Sequence, residues 1–251
     1  MALKNNKSLG QHWLKNRIIL DDIADLAVKD GVTNCLEIGP GLGTLTSSLL
    51  RRFEKVTSVE FDENLAKNLP KSFPGKNLEV INADILKFDF NSVEAPYSVA
   101  GNIPYYITSP IIERLLLAEN KPERIVLLIQ KEVAERIAAE DGKQSVLSLF
   151  VQNRADVELG PVVLKGEFTP PPKVDSEIII LNPKTPEIKE EVFKLIKIGF
   201  SSPRKKLIAN LAGLKSKEEL KQIFEKLNLD ENARPANLGL KDWERLQESM
   251  L

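Results

Sequence analysis

Residues 36–46 read Leu36-Glu37-Ile38-Gly39-Pro40-Gly41-Leu42-Gly43-Thr44-Leu45-Thr46. An apolar run stops at a turn with three alternate glycines, and a polar residue then opens a new apolar segment. This is the pattern of a strand, a tight turn and a helix start. Glycine lets backbone come within contact distance of a ligand, and open α/β sheets bind small molecules beyond the carboxyl ends of their strands. A glycine turn with no ligand would read the same way, so the motif is weak by itself. Its G-x-G-x-G spacing departs from the G-x-G-x-x-G of nicotinamide-binding turns.

Outward from this turn, short apolar runs alternate with helix-like segments through the first two thirds of the chain. Strands are predicted over Cys35–Ile38, Val56–Phe61, Leu78–Ala83, Ser98–Ile103 and Ile125–Gln130, and a last one over Glu177–Leu181. Most lack polar alternation, as expected for a parallel sheet covered on both faces. A helix is predicted over Pro110–Ala118, with Ser109 as its N-cap. Asn182-Pro183-Lys184-Thr185-Pro186 reads as a linker, and beyond it only helical periodicity remains, near 187–199, 203–213, 216–227 and 241–249. The expected fold is α/β, a doubly wound Rossmann-like sheet over residues 1–183 followed by a small all-α domain over 184–251.

The 251 residues carry a formal net charge of -1 and 42% hydrophobic residues, ordinary for a globular protein. Charge is uneven all the same: residues 1–20 hold Lys4, Lys7, Lys15 and Arg17 with no acid, and basic residues outnumber acidic ones after 184. The single cysteine, Cys35, sits in an apolar strand and has no partner for a disulfide. With one histidine, His12, a conventional metal site is not expected. No apolar stretch reaches membrane-spanning length and the polar start lacks a signal peptide's apolar centre, so a cytoplasmic location is expected. A monomer is the default expectation.

Three more strand ends carry chemistry. Glu60 ends the strand after the glycine turn, where a carboxylate can accept hydrogen bonds from ribose hydroxyls. Asp84 follows the next strand, where it could accept from an adenine amino group while Ile85 covers the ring, although Asp84 could equally cap a turn. The fourth strand runs into Asn102-Ile103-Pro104-Tyr105. An adenine amino nitrogen is a poor nucleophile because its lone pair is delocalised into the ring. Acceptors on its two hydrogens favour a pyramidal, reactive nitrogen, and the Asn102 side-chain oxygen and the Pro104 carbonyl are candidates. Tyr105 offers a platform for a base removed from its stack. The bland alternative is a turn with two core aromatics.

The order of glycine loop and two acids resembles the S-adenosylmethionine-dependent methyltransferases, and Asn102-Ile103-Pro104-Tyr105 resembles the catalytic motif of those that modify adenine amino groups. Leu9-Gly10-Gln11-His12-Trp13-Leu14, Phe168-Thr169-Pro170-Pro171-Pro172-Lys173-Val174-Asp175-Ser176, Phe200-Ser201-Ser202-Pro203-Arg204-Lys205-Lys206-Leu207 and Arg234-Pro235-Ala236-Asn237-Leu238 are similar to segments of the small-subunit (16S) ribosomal RNA adenine dimethyltransferases. The resemblance implies S-adenosyl-L-methionine as donor, S-adenosyl-L-homocysteine as product, and four methyl transfers onto two adjacent adenosines in a hairpin loop near the 3′ end of 16S RNA, within a small-subunit assembly intermediate. It implies that Gln11, His12 and Leu14 close over the donor, that Gly39 and Gly41 approach its methionine end, and that Phe168 stacks opposite Tyr105. Lys4, Lys7, Lys15, Arg17, Arg204, Lys205 and Lys206 are the expected RNA contacts, the last three opening a helix. The chain departs from the family at His12 and Tyr106, each where asparagine is usual. The alternatives are a large-subunit enzyme of the erythromycin-resistance type and a noncatalytic nucleic-acid-binding factor on the same fold.

Overall fold

The computed structural model describes residues 11–140 and 142–250. In chain order the elements are β1 (Trp13–Leu14), α1 (Arg17–Ala27), β2 (Asn34–Ile38), α2 (Thr44–Leu49), β3 (Lys55–Glu60), α3 (Glu63–Asn68), β4 (Leu78–Asn82), β5 (Tyr97–Asn102), α4 (Thr108–Leu117), β6 (Arg124–Gln130), α5 (Lys131–Ile137), α6 (Val146–Gln152), β7 (Ala155–Val163), β8 (Phe168–Thr169), β9 (Ser176–Pro183), α7 (Glu190–Gly199), α8 (Leu207–Leu211), α9 (Lys217–Leu227) and α10 (Leu240–Met250). They form two compact units. The first takes in the described residues up to Ala134 together with Asp156–Pro183; the second takes in Glu135–Ala155 and the residues from Lys184 onward.

The first unit holds a seven-stranded sheet in the order β4-β3-β2-β5-β6-β9-β7. Strands β4, β3, β2, β5 and β6 are parallel, and β9 joins β6 antiparallel. Their centres are runs such as Ile125-Val126-Leu127-Leu128-Ile129, wholly buried because helices cover both faces. Helix α1 shows how local sequence and packing agree: the Asn16 side chain accepts from Ile18 N at its start, and Leu20, Ile23, Ala24 and Ala27 line one buried face. The chain order reverses between β2 and β5, which lie side by side with Ile38 opposite Gly101. At such a switch point the following loops diverge and leave a crevice. Gly39 and Asn102 are the residues at its edge.

The second unit is a helical cluster around Trp243, Phe224, Leu220, Ile196 and Leu207. Helix α9 begins with a reciprocal cap, Ser216 Oγ accepting from Glu219 N at 3.2 Å and Glu219 Oε2 accepting from Ser216 N at 2.9 Å. The sequence places the break between units at 183/184; the structure adds residues 135–155 to the C-terminal side. The reason is packing: Leu149 of α6 lies in the same core as Val192 and Phe193. The Asn153 side chain also accepts from Ile188 N at 2.8 Å and donates to Ile188 O at 3.2 Å.

Helix α4 starts at Thr108, two residues before the expected Pro110. Proline is tolerated there because the first-turn N–H groups have no partner inside the helix. Among the described residues no helix is long and apolar enough to cross a membrane, and no group of three or more His, Cys, Asp or Glu side chains could hold a metal ion.

Candidate active site

Beyond the carboxyl ends of β2, β3, β4 and β5 lies a cavity of about 290 Å³, lined by Gln11, His12, Leu14, Gly39, Gly41, Glu60, Asp84, Ile85, Asn102, Pro104 and Tyr105 among others. Residues scattered over the first 105 positions therefore meet on one sheet edge. Gly39 and Gly41 have φ of +66° and +55°, a region that strongly favours glycine. A methyl added to Gly39 would meet nothing within 4 Å, so its Cα faces open space on the cavity wall. Glu60 Oε2 accepts from Gly41 N at 3.0 Å and Oε1 from Asp62 N at 2.9 Å, so the acid braces the glycine turn. Burial holds the Glu60 carboxyl above its ordinary range. Each oxygen keeps a second acceptor direction for a ligand hydroxyl. Asp84 lies at the cavity while its Oδ1 accepts from Leu86 N at 2.9 Å, so it caps a turn as well.

A ligand with hydroxyls at Glu60 and a second end at the glycine turn suits this set, and S-adenosylmethionine has that form.

The Asn102 amide has a defined orientation. Its Nδ2 donates to His12 O at 3.0 Å, and because a carbonyl can only accept, the amide nitrogen must face His12. Oδ1 is then the atom left to accept from a substrate. Pro104 O accepts from Ile107 N at 3.2 Å, which leaves one lone pair free. Tyr105 Oη lies 2.7 Å from Ser176 Oγ, an anchor from β9, and burial raises its pKa. The His12 ring is stacked on Tyr105 with centroids 6.1 Å apart and planes 20° from parallel. His12 Nδ1 lies 2.8 Å from Pro170 O and so donates to it, which ties the segment carrying His12 to the proline run that follows β8.

The structure does not bring Phe168 to the cavity. It is 3% exposed in the core with Leu14, Leu20 and Val163, and the antiparallel pairing of β8 with β1 sets it opposite Leu14. Successive strand residues face opposite sides, so this register directs Phe168 inward, opposite Leu14 of the segment that carries His12. Arg204, Lys205 and Lys206 do not open a helix; they lie exposed in the turn ahead of α8, with Lys206 as its N-cap residue. The positive end of a helix dipole disfavours cations in its first turn. Lys15 is exposed, and Arg17 pairs with Asp21 at 3.5 Å. Lys4 and Lys7, like Leu9 and Gly10, lie outside the described residues.

Sequence reasoning passed over Glu37, although an acid inside an apolar strand is itself a signal. Glu37 is fully buried beneath the glycine turn, its Oε2 accepting from Thr46 Oγ and Ser58 Oγ at 2.7 Å each. These bonds tie β2, α2 and β3 together. Burial pushes its carboxyl up to about 7, against the hydrogen bonds from Ser58 and Thr46, which lower it. The folded state thus keeps a proton that the unfolded chain has released, so this group's contribution to stability falls as pH rises from roughly 4 to 7, by about 3 kcal/mol in all, and is level above that. Thermal unfolding of Glu37→Gln and of the natural chain should therefore diverge between pH 5 and 7, the natural chain losing ground; parallel curves would contradict the assignment.

A sequence model of the family described as ribosomal RNA adenine dimethylase matches residues 2–250. The chain is 39% identical to the ribosomal RNA small subunit methyltransferase A of Trichormus variabilis, over 97% of each chain. It is 40% identical to the protein of that name from Dehalococcoides mccartyi, over 98% of this chain and 88% of that one. Among solved structures it resembles a dimethyladenosine transferase from Plasmodium falciparum (TM-score 0.80, 32% identity, 94% of this chain and 96% of that one). It also resembles the 23S rRNA methyltransferase ErmE (TM-score 0.77, 29% identity, 95% and 99%). With that likeness running through both units, the chain belongs to the ribosomal RNA adenine dimethylase family and is a methyltransferase that uses S-adenosyl-L-methionine.

Proposed function

We propose that the protein dimethylates the N6 amino groups of two adjacent adenosines in a hairpin loop near the 3′ end of 16S ribosomal RNA during small-subunit maturation. The observation that carries this reading is the Asn102 amide, held by its bond to His12 O so that its oxygen is the atom left to accept. The small-subunit names of relatives matched along nearly the whole chain support the choice of RNA.

When bound, the donor supplies an electrophilic methyl group on a sulfonium. In the first transfer Asn102 Oδ1 and Pro104 O accept from the two N6 hydrogens and concentrate the lone pair on nitrogen; in the second, the one hydrogen left on N6 is held by one of these oxygens. Tyr105, anchored through Ser176, offers a flat face to a base that has left its stack, a contact of roughly 1 to 3 kcal/mol. No strong base is required, because the methylated nitrogen is acidic enough for water to take its proton. Orientation does most of the work.

The site is proposed to act on an assembly intermediate, as a monomer in the cytoplasm. Lys15, Arg17 and the Arg204–Lys206 turn are proposed phosphate contacts, with the helical unit serving RNA binding. Replacing Arg204, Lys205 and Lys206 together with alanine should weaken RNA binding and reduce the slope of log K against log salt by about 0.7 to 0.9 per lost phosphate contact. Filter binding across a salt series checks this; an unchanged slope rejects the assignment.

The likeness to ErmE favours one second reading, methylation of 23S RNA. Mass spectrometry of ribosomal RNA from cells with and without the protein decides between them. Loss of a dimethyladenosine pair from 16S RNA is expected; loss from 23S RNA favours the second reading, and no change removes both.

A further inference from the structure

Tyr106 is a large aromatic side chain that nothing in the protein holds. It is 64% exposed, and among the described residues no hydrogen bond or ring contact reaches its side chain, yet it lines the same cavity as Pro104 and Tyr105. A residue that lines the cavity and also faces solvent stands at the cavity's mouth.

The backbone beneath it is fixed. Tyr105–Ile107 form one 3₁₀ turn, in which Ile107 N donates to Pro104 O at 3.2 Å and Thr108 N donates to Tyr105 O. With three residues per turn, neighbouring side chains diverge by about 120°. Tyr105 takes the direction that meets Ser176 and His12, so Tyr106 cannot share it. The two rings are therefore separate surfaces, one inside the site and one at its entrance. Phe61, the other exposed aromatic of the lining, directly follows Glu60 and so lies at the ribose end.

A base that enters the site leaves its stack, and its neighbour along the strand loses a covered face. With two adjacent adenosines, the sugar–phosphate link keeps one at the mouth while the other occupies the site. Aromatic side chains are the usual cover for bases splayed out of an RNA strand. We propose that Tyr106 is a substrate-binding residue whose ring stacks on the base next to the one being methylated. This rests on the reading of the site as one that takes adjacent adenosines.

The test uses the whole protein and small subunits reconstituted from unmethylated 16S RNA whose adenosine pair is replaced by one adenosine and one 2-aminopurine, in either order. 2-Aminopurine lacks the 6-amino group, so only the adenosine can be methylated and the fluorescent base is its neighbour. Stacking quenches that fluorescence. In the subunit that the natural chain methylates, the saturated complex should be dim. Tyr106→Ala should lose this quenching and weaken binding of the subunit by about 5- to 150-fold, the loss of one base stack, whereas Tyr106→Phe keeps both. Calorimetry with S-adenosylhomocysteine should give one affinity for all three chains. Equal quenching in the natural and Tyr106→Ala complexes, or an unchanged subunit affinity, overturns the proposal while methylation stands. So does a matching loss of S-adenosylhomocysteine affinity, which would place the ring on the donor. A natural chain that binds S-adenosylhomocysteine but methylates neither subunit overturns the adjacent-adenosine reading and the proposal with it.

Discussion

Asn102→Ala is expected to slow methyl transfer by about 10²- to 10³-fold, the usual loss when one pre-positioned group that stabilises a developing charge is removed. Donor affinity should change far less. The lost bond from Nδ2 to His12 O loosens the segment over the cavity, a neutral contact worth about 1 kcal/mol. Single-turnover rates with saturating RNA, set beside calorimetry with S-adenosylhomocysteine, separate the two effects. Full turnover would remove the amide from its assigned role. An equal loss in binding and rate would reassign it to holding His12.

Gly43→Ala is expected to act on stability. Gly43 has φ of +80° and is the N-cap residue of α2, and an added methyl would lie 2.6 Å from Leu69 Cδ1 and 2.9 Å from a Phe73 ring carbon. Left-handed strain and overpacking together should cost about 2 to 5 kcal/mol, a large part of the stability of an ordinary domain. Gly39→Ala is the natural comparison. It carries similar backbone strain but meets no atom within 4 Å, so its methyl enters the cavity instead. Denaturant unfolding should show the larger loss for Gly43→Ala, and donor titration the larger loss for Gly39→Ala. Equal stability losses would contradict the packing described around Gly43.

The strands were legible where burial on two faces writes continuous apolar runs, as in Ile125–Ile129. β7 was not, because Gly160-Pro161 reads as a turn; the sheet admits that proline because β7 is an edge strand and the missing N–H breaks no interior ladder. Residues 135–155 read as a continuation of the first domain, since only tertiary packing of Leu149 against Val192 and Phe193 assigns them to the helical unit. At the site, the place of Gly39, Glu60, Asp84 and Asn102 was legible because each ends a strand or lies just beyond one, and one sheet edge collects these strand ends. The inward direction of Phe168 was not legible, because a two-residue pairing with β1 decides it and no periodicity shows in so short a strand. The orientation of the Asn102 amide depends on a carbonyl 90 positions away in the chain and could come only from the fold.

The most direct measurement is a crystal structure of the protein with S-adenosylhomocysteine and an adenosine-containing RNA fragment. The purine N6 should lie about 2.7 to 3.2 Å from both Asn102 Oδ1 and Pro104 O, with the ring over Tyr105 and the ribose of the product at Glu60. A product or purine bound away from the ends of β2, β3 and β5 would contradict the assignment of this cavity.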